Sequence, residues 1–164
     1  MMTAEEIVMS GYAAFGSGDM EALGKIYNHE CKTTFHANHA LGGEYIGFED
    51  LLINMLARLN DAWPGFNISV DNVVSDDTNV CVFCTFTADG GLSGKGVHHF
   101  VVEDCLEVSF DLYLDSGYWA EHCKIYPVAQ FQRIEEALAN SSLCNGMRKT
   151  PSLQRRKTLR ARRG

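Results

Sequence analysis

Apolar residues recur at helical spacing from the first turn of the chain. Ile7, Val8, Gly11, Tyr12 and Phe15 lie on one side, behind a T-x-x-E capping box of Thr3 and Glu6. The spacing predicts a helix over residues 4–15. Gly16-Ser17-Gly18-Asp19 reads as a turn with Asp19 as the next N-cap. A second helix then runs to about Tyr27, with Leu23, Ile26 and Tyr27 together. Cys31–Ala37 reads as a strand and Ala40–Gly47 as a glycine-rich loop. Leu51, Leu52, Met55, Leu56 and Leu59 mark a third helix, ended by Trp63-Pro64-Gly65.

From Phe66 to Leu114 the period changes to two. Phe66, Ile68 and Val70 alternate with polar residues. Val80–Ala88, Lys95–Val102 and Leu106–Leu114 are β-branched and aromatic, separated by turns at Asp76–Asn79, Asp89–Gly94 and Glu103–Cys105. Pro127 suits the first position of a helix carrying Val128, Phe131, Ile134 and Leu138. The order α-α-β-α-β-β-β-β-α argues for an α+β domain rather than a parallel α/β sheet. We expect a domain over residues 1–140 and a flexible basic tail over residues 141–164.

Composition sharpens this picture at two points. Eight of the 14 Lys and Arg residues lie in Arg148–Gly164, while all 21 acidic residues precede it, so an acidic body carries a basic tail. Such a tail suits nucleic acid or another anionic surface. It lacks the interleaved aromatics that stack single-stranded bases. No apolar run is long enough for a membrane span, and Met1–Glu6 lacks the basic and apolar regions of a secretory leader. The expectation is a cytoplasmic protein with reduced thiols. Cys81 and Cys84 have CxxC spacing, but on a strand they point to opposite faces, which argues against a shared metal.

Several local motifs occur in a meaningful order. Tyr12–Leu23 contains an aromatic helix followed by Gly18-Asp19-Met20-Glu21-Ala22-Leu23. Gly43-Glu44-Tyr45-Ile46-Gly47, His98-His99-Phe100-Val101-Val102-Glu103-Asp104 and Leu112-Tyr113-Leu114-Asp115 follow. Over residues 4–117 the chain resembles the SnoaL-like (NTF2-like, ketosteroid-isomerase-like) superfamily. The resemblance implies an NTF2-like, or cystatin-like, cone: a curved mixed or antiparallel sheet roofed by helices around an apolar pocket. It implies an apolar small-molecule ligand and a homodimer formed through the outer face of the sheet. It also admits cofactor-independent acid–base chemistry of isomerase, aldol-cyclase or hydrolase type on an apolar carbonyl compound. The alternative is a non-catalytic binding or dimerisation module whose tail recruits an anionic partner.

That chemistry needs a base and a hydrogen-bond donor in a dry pocket. His98 shares a strand face with Phe100 and Val102, and the resemblance places a histidine of the cyclases in this region. Asp115 matches the family's terminal-strand aspartate. His36 lies near the isomerases' catalytic aspartate, although the aligned residue is Phe35. Their helix-1 tyrosine aligns with Gly11, leaving Tyr12 about 100° around the helix. These departures argue against the usual steroid-isomerase mechanism. His98, Asp115 and His36 are therefore the expected catalytic group, with no cofactor. His36-x-x-His39 is not a helical ligand pair, so no metal is expected. Periodicity places Tyr12, Phe15, Tyr27, Leu52, Met55 and Leu59 on the pocket walls. Trp63, Phe86, Phe100, Phe110 and Leu112 join them by the same reasoning.

Overall fold

A computed structural model describes residues 2–125. The helix expected after Pro127 and the tail expected over residues 141–164 lie outside these residues. Helix α1 spans Ala4–Ser17, and both hydrogen bonds of the Thr3/Glu6 capping box form. Asp19 caps α2, Met20–Gly24, by accepting from the Ala22 amide at 2.9 Å. This helix is shorter than expected, because Tyr27 already opens strand β1, Tyr27–His36.

Strand β2, Gly43–Ile46, forms where the glycines suggested only a loop. It pairs antiparallel with β1 through Lys32–Ile46 and Phe35–Gly43. The expected third helix is broken into α3 (Gly47–Asn54), a 3-10 turn (Leu56–Arg58) and α4 (Leu59–Ala62). Met55 leaves the helical region at φ −128°, and both Met55 and Leu59 end up buried. Leu51, rather than Leu52, is the fully buried leucine of α3.

Strands β3 (Asn67–Ser75), β4 (Asn79–Ala88), β5 (Leu92–Glu103) and β6 (Leu106–Leu114) form a meander. Asp104 and Cys105, at φ 48° and 63°, make the tight β5–β6 turn. Positive φ at both central positions suits the right-handed twist of a hairpin. The six strands form one sheet in the order β2-β1-β6-β5-β4-β3, with β1 and β6 parallel and every other pair antiparallel. Cys81 and Cys84 fall on opposite faces as the period of two requires, with Cys84 buried.

The inner face of the sheet packs against the helices. Val80, Val82, Cys84 and Phe86 of β4 alternate inward, as do His98, Phe100 and Val102 of β5. Two inward positions on β5 are glycines. A methyl group at Gly94 would lie 2.7 Å from Nε1 of Trp119, and one at Gly96 would lie 2.5 Å from the ring of Phe86. Those rings use the space. Trp119 belongs to α5, Ser116–Glu121, a short helix absent from the sequence expectation. Trp119 has no exposed surface and packs edge-on to Trp63, Phe66 and Phe86. The indole of Trp63 donates to the Trp119 carbonyl at 3.1 Å. Trp119→Ala should therefore lower unfolding free energy by about 3–5 kcal/mol, the cost of emptying a large aromatic site. The check is a lower urea midpoint at unchanged slope.

Candidate functional site

The concave face of the sheet and the helices enclose a cavity of about 690 Å³, its mouth included. Val8, Gly11, Tyr12 and Phe15 line it from α1, with Leu23 from α2 and Met55, Leu56 and Leu59 from the broken helix. Tyr27, Phe35, Phe66, Ile68, Phe86, Phe100, Phe110 and Leu112 form much of the remaining wall. Nine of the expected lining residues thus meet here. Leu52 and Trp63 do not line the cavity. Leu52 yields the inward position to Leu51 one residue earlier on the helix. Trp63 lies beneath His39 and Trp119.

Two polar groups are buried in this wall. The first is His98, 3% exposed, between the rings of Phe86 and Phe110. Its Nδ1 lies 2.6 Å from the hydroxyl of Tyr12. Burial pushes the His98 pKa down to about 3 and the Tyr12 pKa well up, so both are neutral at ordinary pH. The phenol has two neighbours: Nδ1 at 2.6 Å and the Cys84 thiol at 3.5 Å. Imidazole nitrogen is the better acceptor, so the phenol donates to Nδ1 and the ring proton sits on Nε2. That Nε2 is buried without a partner. Tyr12 lines the cavity from α1. Its long side chain reaches across to β5.

The second group is Glu107, which the sequence reading missed. It is 1% exposed, and its Oε2 has no partner. Burial lifts its pKa to about 8, opposed in part by the Tyr27 hydroxyl. Strict alternation from Phe110 and Leu112 places Glu107 on the outer face. The β5–β6 register slips by one residue, however: Val101 faces Ser109, while Val102 faces Glu107. The extra residue, Val108, is a bulge that reverses the face of everything before it. The backbone positions of His98 and Glu107 are two inward steps apart, roughly 13 Å along the strand.

The other expected site residues stand elsewhere. His36 is exposed on the outer face, bonded to Asp111 at 2.6 Å and stacked on Tyr113. It alternates with Phe35, which takes the inward position. Asp115 is the N-cap of α5 and accepts from the Tyr118 amide at 3.3 Å. Its carboxylate serves that helix and does not line the cavity. His39 is buried against Phe35 and Trp63, and burial lowers its pKa to about 4. Among the described residues, no helix is long and apolar enough to cross a membrane, and no three His, Cys, Asp or Glu side chains gather into a metal-binding group.

An α+β cone with a curved six-stranded sheet and a roofed apolar cavity defines the class. Residues 9–109 match the family described as the SnoaL-like domain, and the chain belongs to that family. Solved structures agree on the fold. An NTF2-like protein from Burkholderia thailandensis E264 is 22% identical, with TM-score 0.69 over 74% of this chain and 98% of its own. Bal32a, from a soil-derived mobile gene cassette, is 25% identical, with TM-score 0.66 over 73% and 95%. TerC, co-crystallised with polyporic acid, is 18% identical, with TM-score 0.65 over 72% and 95%. No curated protein matches the chain.

The two buried groups bend stability with pH in opposite directions. Folded Glu107 keeps its proton to about pH 8, whereas an ordinary glutamate ionises near 4.5. Rising pH therefore removes stability between those values and no further above them. His98 takes a proton near 6.5 when unfolded and near 3 when folded, so falling pH removes stability across that interval. Glu107→Gln abolishes the first effect alone. Its unfolding free energy should gain on the parent from pH 5 to pH 8, by at most about 1.4 kcal/mol per unit, then hold a constant lead. A lead independent of pH in thermal denaturation would show that Glu107 ionises normally.

Proposed function

We propose that the cavity binds an apolar small molecule bearing a carbonyl or hydroxyl oxygen, and that His98 holds that oxygen. The observation that carries this reading is the Nε2 of His98, buried in an apolar wall without a partner. A buried donor left unmade costs about 1–3 kcal/mol, which a ligand oxygen recovers. Tyr12 fixes the ring and its tautomer, so the donor is aimed before the ligand arrives. SnoaL-like domains are a family of ligand-binding proteins, some of them isomerases or cyclases. In an isomerase, cyclase or hydrolase reaction the same donor would stabilise charge growing on a carbonyl oxygen. The expected His98/Asp115/His36 group does not assemble in the cavity, so binding is the part of the reading with the stronger support.

Displacement of an apolar fluorescent dye by naphthol and by naphthalene tests this. Naphthol should bind more tightly than naphthalene to the parent, by roughly tenfold for one well-made hydrogen bond. His98→Ala and Tyr12→Phe should remove that advantage while leaving naphthalene bound. If the advantage survives in His98→Ala, the oxygen is held elsewhere.

A second reading concerns the outer face. Tyr113, Val97 and Phe83 lie side by side in register across β6, β5 and β4, and Val74 stands on the neighbouring β3. Val74, Phe83 and Tyr113 are 57%, 42% and 45% exposed. An exposed apolar row on a sheet favours association, and we propose a homodimer through this face. Phe83→Lys should convert a dimer to a monomer in sedimentation velocity; an unchanged dimer would move the interface elsewhere.

A further inference from the structure

The Glu107 end of the cavity is rich in acceptors. Two oxygen-bearing side chains of the cavity wall meet there: Glu107 from β6 and Tyr27 from β1. Gly11 faces the same corner: a methyl there would lie 3.8 Å from the Glu107 Oε1. No lysine or arginine lines the cavity among the described residues. The remaining titratable neighbours are Cys31 on β1 and His98 on β5. Burial holds the first protonated, at about 12, and the second neutral. A carboxyl with an unpartnered buried oxygen thus stands beside a phenol in an apolar wall, with no lysine or arginine of the described residues lining the cavity.

We propose that this end of the cavity is a subsite for an apolar primary amine, bound as its ammonium ion. An ammonium has N–H donors and no acceptor, which suits a carboxylate beside a phenol oxygen. The walls suit the rest of such a ligand. Phe15, Phe100, Phe110 and the two tyrosine rings offer aromatic faces, which attract a cation more strongly when water is excluded. Ion pairs in apolar surroundings are stable only when further hydrogen bonds are satisfied, and the Tyr27 phenol offers one. Residues 2–125 carry 19 acidic side chains against 5 basic ones, so the domain's field draws cations toward it. The inference rests on the cavity being the ligand site and adds the chemical class of one end of the ligand.

Binding has a definite proton balance. Below about pH 8 Glu107 is protonated, so each ammonium that binds releases one proton to solvent. Titration calorimetry of the full chain with naphthylmethylamine, and with naphthylmethanol as its uncharged counterpart, makes the test. The amine should bind at least tenfold more tightly than the alcohol near pH 8.5. Its affinity should fall by about tenfold per unit as pH drops below 8, with proton release seen as a dependence of the heat on buffer. The alcohol should show neither effect. Glu107→Gln, which keeps shape and removes charge, should bring the amine down to the alcohol and abolish its pH dependence. Equal affinities in the parent, or an amine preference that survives in Glu107→Gln, would overturn the subsite while leaving the cavity as a binding site. Failure of both probes to bind the parent would overturn both readings.

Discussion

The bond from the Tyr12 hydroxyl to His98 Nδ1 joins the roof of the cone to its floor. Most other contacts between α1 and the sheet are apolar and non-directional, through residues such as Ile7 and Val8. They hold the helix near the sheet without fixing its rotation. A 2.6 Å hydrogen bond between two buried groups does fix it, since either partner left alone would be an unmet polar group in an apolar wall. The same bond sets the imidazole tautomer and so decides that the cavity receives a donor rather than an acceptor from His98. Helix placement and ligand chemistry therefore follow from one contact.

Glu107 stands in the opposite position. Nothing in the protein compensates its burial fully, and its raised pKa is the measure of that. The bulge at Val108 puts it there, by adding one residue to β6 against β5. A regular hairpin would have kept the carboxyl in water at no cost. A carboxyl with an unmet oxygen is a local conflict within an otherwise consistent core, and such conflicts concentrate where function requires them.

The sequence was most readable where one period ruled a long segment. The α1 capping box, the alternation of β4 and β5 and the inward face of His98 all follow from spacing alone. Reading failed where geometry is set by a partner. β2 is four residues beside glycines and exists because β1 offers an edge to pair with. Asp115 ends a strand in sequence, but its carboxylate is committed to α5, whose anchor is the distant Trp63–Trp119 packing. Glu107 was hidden by a register slip, and no local signal in Leu106–Phe110 announces one. His36 fell on the outer face because Phe35, one residue earlier, takes the inner one.

Membership of the SnoaL-like family settles the scaffold and leaves chemistry to the side chains that reach the cavity. Here desolvation is the common cause. It strips the proton-binding tendency from His98, suppresses ionisation of Tyr12, Tyr27 and Cys31, and keeps Glu107 protonated at neutral pH. The empty cavity is consequently uncharged but not uniform. It offers a fixed donor at His98 and a cluster of oxygens about Glu107, with Phe100 and Phe110 between those strand positions. A symmetric hydrocarbon would gain from the walls and leave both polar groups unmet. A molecule with unlike ends, an acceptor at one and a donor at the other, satisfies both in a single orientation. The arrangement selects by polarity pattern more than by size, because apolar walls of this kind discriminate weakly between ligands one methylene apart.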